Sequence, residues 1–153
     1  MKHLLIVYHS QSGTNARLAQ AVLHGARQET EVETRLRRAD AADTRDLLWA
    51  DAVLFGAAEN FGYLAGGLTD FLARTFYPYQ QQAPNRPLAY AFFCATGNDG
   101  RGAVRQLERI VTGYPMRRVA EPLIVRGDIA AAALQQGEEL GLTMAAGLAL
   151  GMF

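Results

Sequence analysis

A single cysteine, Cys94, is present in 153 residues. An internal disulfide is therefore excluded, as are a C-x-x-C redox pair and a cysteine-built zinc centre. Neither charge is in excess, with 15 Lys plus Arg against 15 Asp plus Glu. A general nucleic-acid binder would carry a basic surplus, so no nucleic-acid partner is expected. Long apolar runs are lacking too. The stretch Leu4-Leu5-Ile6-Val7-Tyr8 is shorter than a signal-peptide core. The nearly uncharged stretch from Leu140 to Phe153 falls short of the roughly 18 residues of a membrane span. The expectation is a cytoplasmic protein without a membrane partner. His3, His9 and His24 do not form metal-ligand spacing, and no metal is expected.

Several chemical signatures are also absent. There is no G-x-G-x-x-G dinucleotide fingerprint and no G-x-x-x-x-G-K phosphate loop. No G-x-S-x-G elbow exists, so a serine hydrolase of the common α/β type is unsupported. A phosphoacceptor receiver domain would need acidic residues after the first strand, where this chain has Tyr8-His9-Ser10.

What remains is globular. Hydrophobic residues make up 50% and charged residues 20%, and the length suits one domain over residues 1–153. Leu4 to Tyr8, Ala52 to Phe55 and Leu88 to Ala95 are continuous apolar runs, as in strands buried on both faces. Glu31 to Arg37 alternates and reads as an edge strand; Leu123 to Val125 is the last strand core. Between them, helical spacing runs from Asn15 to about Gln28, from Asp43 to Trp49, from Gly66 to Phe76, and through Val104, Leu107 and Val111. Tyr77 to Pro87, with three prolines, reads as a loop. Asp128 is the expected N-cap of a final helix through Leu134, Leu140, Met144 and Leu148. Alternating strands and helices predict an α/β fold around a parallel sheet. In such sheets ligands lie beyond the carboxyl ends of the strands.

Those ends carry three polar or glycine-rich loops. The first, Ser10-Gln11-Ser12-Gly13-Thr14-Asn15, offers hydroxyls, an amide and unpaired N–H groups at a helix start. It suits a single phosphate, although the same residue types also favour N-caps and turns. Tyr8 to Asn15 resembles the phosphate loop of the flavodoxin-like family, with Asn15 where a hydroxyl is commoner. Ala57 to Gly67 resembles the loop that meets the isoalloxazine ring in flavodoxin-like NAD(P)H-dependent oxidoreductases, through Phe61-Gly62, Ala65-Gly66 and Phe71-Leu72. Ala58 and Glu59-Asn60 replace the residues usual there. Thr96-Gly97-Asn98-Asp99-Gly100-Arg101-Gly102 resembles the second ring loop.

The resemblance implies a three-layer sandwich with strand order 2-1-3-4-5. It implies FMN, held by Ser10, Gln11, Ser12, Gly13, Thr14 and Asn15, by Ala58, Glu59, Asn60, Phe61 and Gly62, and by Thr96, Gly97, Asn98, Asp99 and Gly102. It implies an oxidoreductase taking reducing equivalents from NAD(P)H to a small acceptor such as a quinone or flavin. Glu59 and Asp99 are candidates for tuning the ring, and no catalytic side chain is required. The alternative is a one-electron flavodoxin shuttling between proteins; such carriers are usually acidic, unlike this neutral chain. A homodimer is expected, with Tyr77 to Pro87 reaching a neighbouring subunit. Cys94 and Trp49 are read as packing residues.

Overall fold

A computed structural model describes residues 1–153. The elements are β1 (Lys2–Tyr8), α1 (Thr14–Ala26), β2 (Val32–Arg38), α2 (Thr44–Trp49), β3 (Ala52–Gly56), β4 (Glu59–Asn60), β5 (Tyr63–Leu64), α3 (Gly66–Gln82), β6 (Leu88–Thr96), α4 (Arg101–Thr112), β7 (Met116–Arg118), β8 (Leu123–Arg126) and α5 (Ala131–Ala149).

The three continuous apolar runs become β1, β3 and β6, at the centre of a parallel sheet ordered β2-β1-β3-β6. Side chains alternate across each strand, and both faces must be covered. Leu5, Val7, Val53, Phe55 and Phe92 pack with Leu68, Phe71 and Leu107 from α3 and α4. Leu4, Ile6, Leu54 and Phe93 pack with Leu18, Val22, Leu140 and Met144 from α1 and α5. The result is a helix–sheet–helix sandwich. β2 is an edge strand, as its alternation predicts: Val32 and Thr34 are buried while Glu33 and Arg35 are exposed.

Three expectations need correction. The last strand is divided. β7 pairs with Leu88–Tyr90 and β8 with Phe93–Thr96, so two short strands share the fifth position. Pro122, which has no N–H to give a ladder, lies in the intervening excursion.

Residues 77–82 belong to α3, which continues through Pro78. Proline removes one helical hydrogen bond, but burial on the next residue outweighs it. Tyr79 is fully buried, 5.9 Å from Tyr114 between ring centroids, and Gln80 Nε2 donates to Gly113 O at 2.9 Å. Only residues 83–87 remain as a connection. Arg86, expected at a subunit contact, instead donates to Leu48 O and Ala50 O at 2.9 and 2.7 Å, closing the end of α2.

The final helix starts at Ala131 with Ala130 as N-cap and no side-chain cap, so Asp128 does not serve there. No helix is long and apolar enough to cross a membrane.

Candidate functional site

Because β1, β3 and β6 run parallel, their C-terminal ends open on one rim. There a cavity of about 310 Å³ is lined by His9, Ser10, Gln11, Ser12, Thr14 and Asn15 from the first loop. Ala58, Glu59 and Asn60 from the second loop and Ala95, Thr96 and Gly97 from the third complete most of the wall. The sequence placed these three loops at three strand ends, and the structure brings them to one cavity.

In the first loop Gly13 takes φ +97° immediately before α1. That left-handed turn suits glycine and lets its N–H donate to Ser10 Oγ at 3.1 Å. Ser12 Oγ and Thr14 Oγ1 lie 3.3 Å apart. The N–H groups of Thr14, Asn15 and Ala16 have no acceptor inside the helix, as at any helix start. The first turn of α1 holds no acidic residue, and the lining contains no Lys or Arg. The helix dipole therefore favours an anion held through neutral donors.

Asn15 does more for the fold than its position suggested. Its side chain is buried and spent on β6: Oδ1 accepts from Ala95 N at 2.9 Å and Nδ2 donates to Ala95 O at 3.1 Å. It pins the start of α1 to the end of the central strand.

Glu59 is a sequence candidate for holding and tuning the ring. It is 7% exposed, and Oε2 accepts from Gly102 N at 2.8 Å and Ala103 N at 3.2 Å. The carboxylate thus satisfies the first N–H groups of α4 and complements its dipole. Asp99 is exposed and accepts from Arg101 N at 3.1 Å, a local capping role. Gly102 lies outside the cavity wall. A Cβ there would sit 1.8 Å from Gly62 O, so it allows the second and third loops to touch. Thr96 Oγ1 donates to Glu59 O at 3.4 Å and accepts from Asn98 N at 3.2 Å. Asn60 Nδ2 donates to Gln11 Oε1 at 3.5 Å across the mouth.

The second loop is a tight hairpin between β4 and β5. Phe61 (φ +54°) and Gly62 (φ +77°) both adopt left-handed conformations, the pattern of a type I′ turn. For Phe61 this costs ~1–2 kcal/mol, and the ring is 96% exposed. Strain and exposure on one aromatic side chain cluster at functional sites. Tyr63 is 64% exposed on the same hairpin.

Three lining residues, His9, Ala95 and Gly127, fell outside the sequence-derived set. Gly127, at φ +77°, donates its N–H to Thr96 O at 3.0 Å and closes the wall after β8. The break Arg126-Gly127-Asp128 at a fourth strand end was the available signal. His9 packs its ring on Gly67, where a Cβ would lie 2.1 Å from Nδ1. The described chain contains no cluster of three or more His, Cys, Asp or Glu suited to a metal.

Cys94 is a core residue, its thiol pushed up to about 12 by burial. Burial likewise pushes the Tyr114 hydroxyl up to about 12. Both groups fold in the neutral form, so the unfolded chain ionises first. Their stabilising contribution is complete below the unfolded values, near 9.0 and 10.0, and is lost as pH rises towards 12. Denaturant melts should show the midpoint falling above pH 9. A thiol-specific disulfide reagent at pH 8 should label Cys94 only after unfolding. Rapid labelling of the native protein would show that the strand end is open.

No family model matches the sequence. Over 71 residues, 46% of this chain, it is 32% identical to a flavodoxin of Aquifex aeolicus, and the match spans 38% of that protein's length. Among solved structures, a flavodoxin from the domain Archaea superposes with TM-score 0.82 at 19% identity, covering 94% of this chain and 96% of that one. A WrbA-like flavodoxin from Agrobacterium tumefaciens gives 0.82 at 20% identity, with 99% of each chain covered. Rubredoxin oxygen:oxidoreductase from Desulfovibrio gigas gives 0.82 at 18% identity over 99% of this chain but 37% of its own. Agreement over nearly the whole chain at identities this low is agreement of fold, and that fold is flavodoxin-like.

Proposed function

We propose that the chain binds FMN in the cavity before α1 and uses it to pass reducing equivalents from NAD(P)H to a small acceptor such as a quinone or flavin. The observation that carries this reading is the shared cavity. A first loop without Lys or Arg opens into the same space as two loops that line it with Ala58, Glu59 and Asn60 and with Thr96 and Gly97. Gly13 supports the fit, because a Cβ there would meet nothing within 4 Å. Its left-handed turn is not imposed by internal crowding, and the space beside it is open to a ligand.

Bound flavin would supply the redox chemistry, accepting hydride from the nicotinamide and delivering electrons to the acceptor. The chain's part is binding and orientation. Ser10, Ser12, Thr14 and the free N–H groups of α1 hold the terminal phosphate. Ala58, Asn60 and Gly97 bring backbone and a side-chain amide to the ring end. Phe61 and Tyr63 offer exposed flat apolar surface on the hairpin whose Asn60 lines the cavity. The electron-carrier reading is favoured by one observation: the superposition on the archaeal flavodoxin covers 94% of this chain and 96% of that one.

FMN, FAD and riboflavin should be compared by titration, following the flavin's fluorescence. FMN should bind at least tenfold more tightly than riboflavin. Equal affinities would mean that the phosphate cradle contributes nothing. Anaerobic addition of NADH or NADPH to the FMN-loaded protein should then bleach the visible spectrum. An unbleached spectrum would favour the carrier.

A further inference from the structure

A second groove lies on the outer side of the third loop. Its volume is about 340 Å³, and its wall includes Asp99 and Gly100, neighbours of the Thr96 and Gly97 that line the first cavity. One short loop thus separates the two spaces. We propose that this groove, between α4 and β8, docks the phosphate-bearing end of the reduced dinucleotide; the inference rests on NAD(P)H being the donor.

The groove has the chemistry for a nucleoside phosphate. Arg101 and Arg105 stand one helical turn apart on the exposed face of α4. Val104, Pro122 and Ile124 are partly exposed and form an apolar shelf beside them, suited to a flat base. Two carboxylates also line the groove, and both are engaged. Asp99 accepts from Arg101 N at 3.1 Å and lies 3.9 Å from the Arg101 guanidinium. Glu108 is paired with Arg118. The ion pairs leave Arg105 free, and a guanidinium fork matches phosphate oxygens.

The surrounding surface points the same way. Residues 101–126 contain six arginines and two glutamates, while the rest of the chain holds nine basic and thirteen acidic residues. A neutral protein is therefore polarised, with its positive side on α4, β7 and β8. Arg126 is exposed, in register with Thr96 at the rim of the first cavity. An anionic ligand would be drawn to the side where the redox cavity opens.

Calorimetric titration of the FMN-loaded protein with 2′,5′-ADP, ADP and adenosine tests the proposal. The two phosphorylated ligands should bind more tightly than adenosine, and less tightly as salt is raised. Tighter binding of 2′,5′-ADP than of ADP would assign the 2′-phosphate; tighter binding of ADP would assign the diphosphate, and equal binding the 5′-phosphate that both carry. Arg105→Glu should weaken both at least tenfold, about 1.4 kcal/mol, with Arg105→Lys recovering part of the loss. FMN affinity should be unchanged, because Arg105 does not line the first cavity. Unaltered nucleotide affinity in Arg105→Glu, or no nucleotide binding by the wild type, overturns the proposal. Bleaching by NADPH is read separately. Reduction of both proteins with the same NADPH dependence would sink this groove while leaving the oxidoreductase reading intact.

Discussion

Ser12→Asp should reduce FMN affinity at least a hundredfold while leaving riboflavin binding and the melting temperature almost unchanged. Ser12 is exposed on the loop that precedes α1, so a carboxylate there has no packing to disturb. It would stand among the hydroxyls proposed to hold the phosphate. Two unit charges 4 Å apart repel by ~4 kcal/mol at the effective dielectric of a protein surface, nearly three orders of magnitude in affinity. Gly13→Val should fail in the same assay for a different reason. At φ +97° a β-branched residue is a conformational outlier, and the loop must refold to accept it. The cost falls on a surface turn, so circular dichroism should still report a folded protein. Ser12→Ala, which removes one hydroxyl, should lose far less. An aspartate variant that holds FMN within tenfold of the wild type would refute the cradle. Riboflavin lost in parallel would show that the substitution acts on the fold.

The framework of the fold was legible because buried parallel strands leave short, continuous apolar runs between turn residues. Leu4–Val7, Ala52–Phe55 and Leu88–Ala95 have no polar interruption, and their shortness and flanking turn residues favour strands covered on both faces over buried helix. The loop positions followed from the strand ends. What could not be read was the partner of each polar side chain. Asn15, Glu59 and Thr96 look in sequence like ligand contacts, and all three do line the cavity. In space they also lace the loops together, Asn15 to Ala95, Glu59 to Gly102 and Ala103, Thr96 to Glu59 O. These bonds span from 37 to 80 residues of chain, and local pattern carries no information at that range. Pro78 and the divided last strand were missed for a related reason. A proline reads as a stop unless the burial of Tyr79 beyond it is known, and Met116-Arg117-Arg118 is too short and too charged to announce a strand.

Gly141→Ala should be among the most damaging small substitutions in the chain, and Gly137→Ala, one turn earlier on the same helix, should be far milder. Helix propensity alone predicts the same for both: each alanine should stabilise α5 by ~1 kcal/mol. The packing of α1 against α5 separates them. A Cβ at Gly137 would meet Leu18 Cδ1 at 2.9 Å, the end of a side chain that can rotate away, and Ala21 Cβ at 3.3 Å, which need give only a few tenths of an ångström. A Cβ at Gly141 would lie 1.9 Å from Val22 O and 2.9 Å from Ala26 N, both backbone atoms of α1. Backbone cannot yield without moving the helix. Gly25 makes the reciprocal approach, with its Cβ position 1.9 Å from Glu138 O. Forcing such a contact apart costs ~1–3 kcal/mol or more, and in a domain of this size about 3 kcal/mol lowers the melting temperature by about 6–12 °C. The consequence reaches the site, because α1 begins at the phosphate cradle and is tied there to β6 through Asn15. Gly141→Ala should therefore weaken FMN binding as well as melt early, whereas Gly137→Ala should do far less of either. Paired melting curves and FMN titrations decide it. A Gly141→Ala protein that melts at or above the wild-type temperature would show that the two helices are free to part.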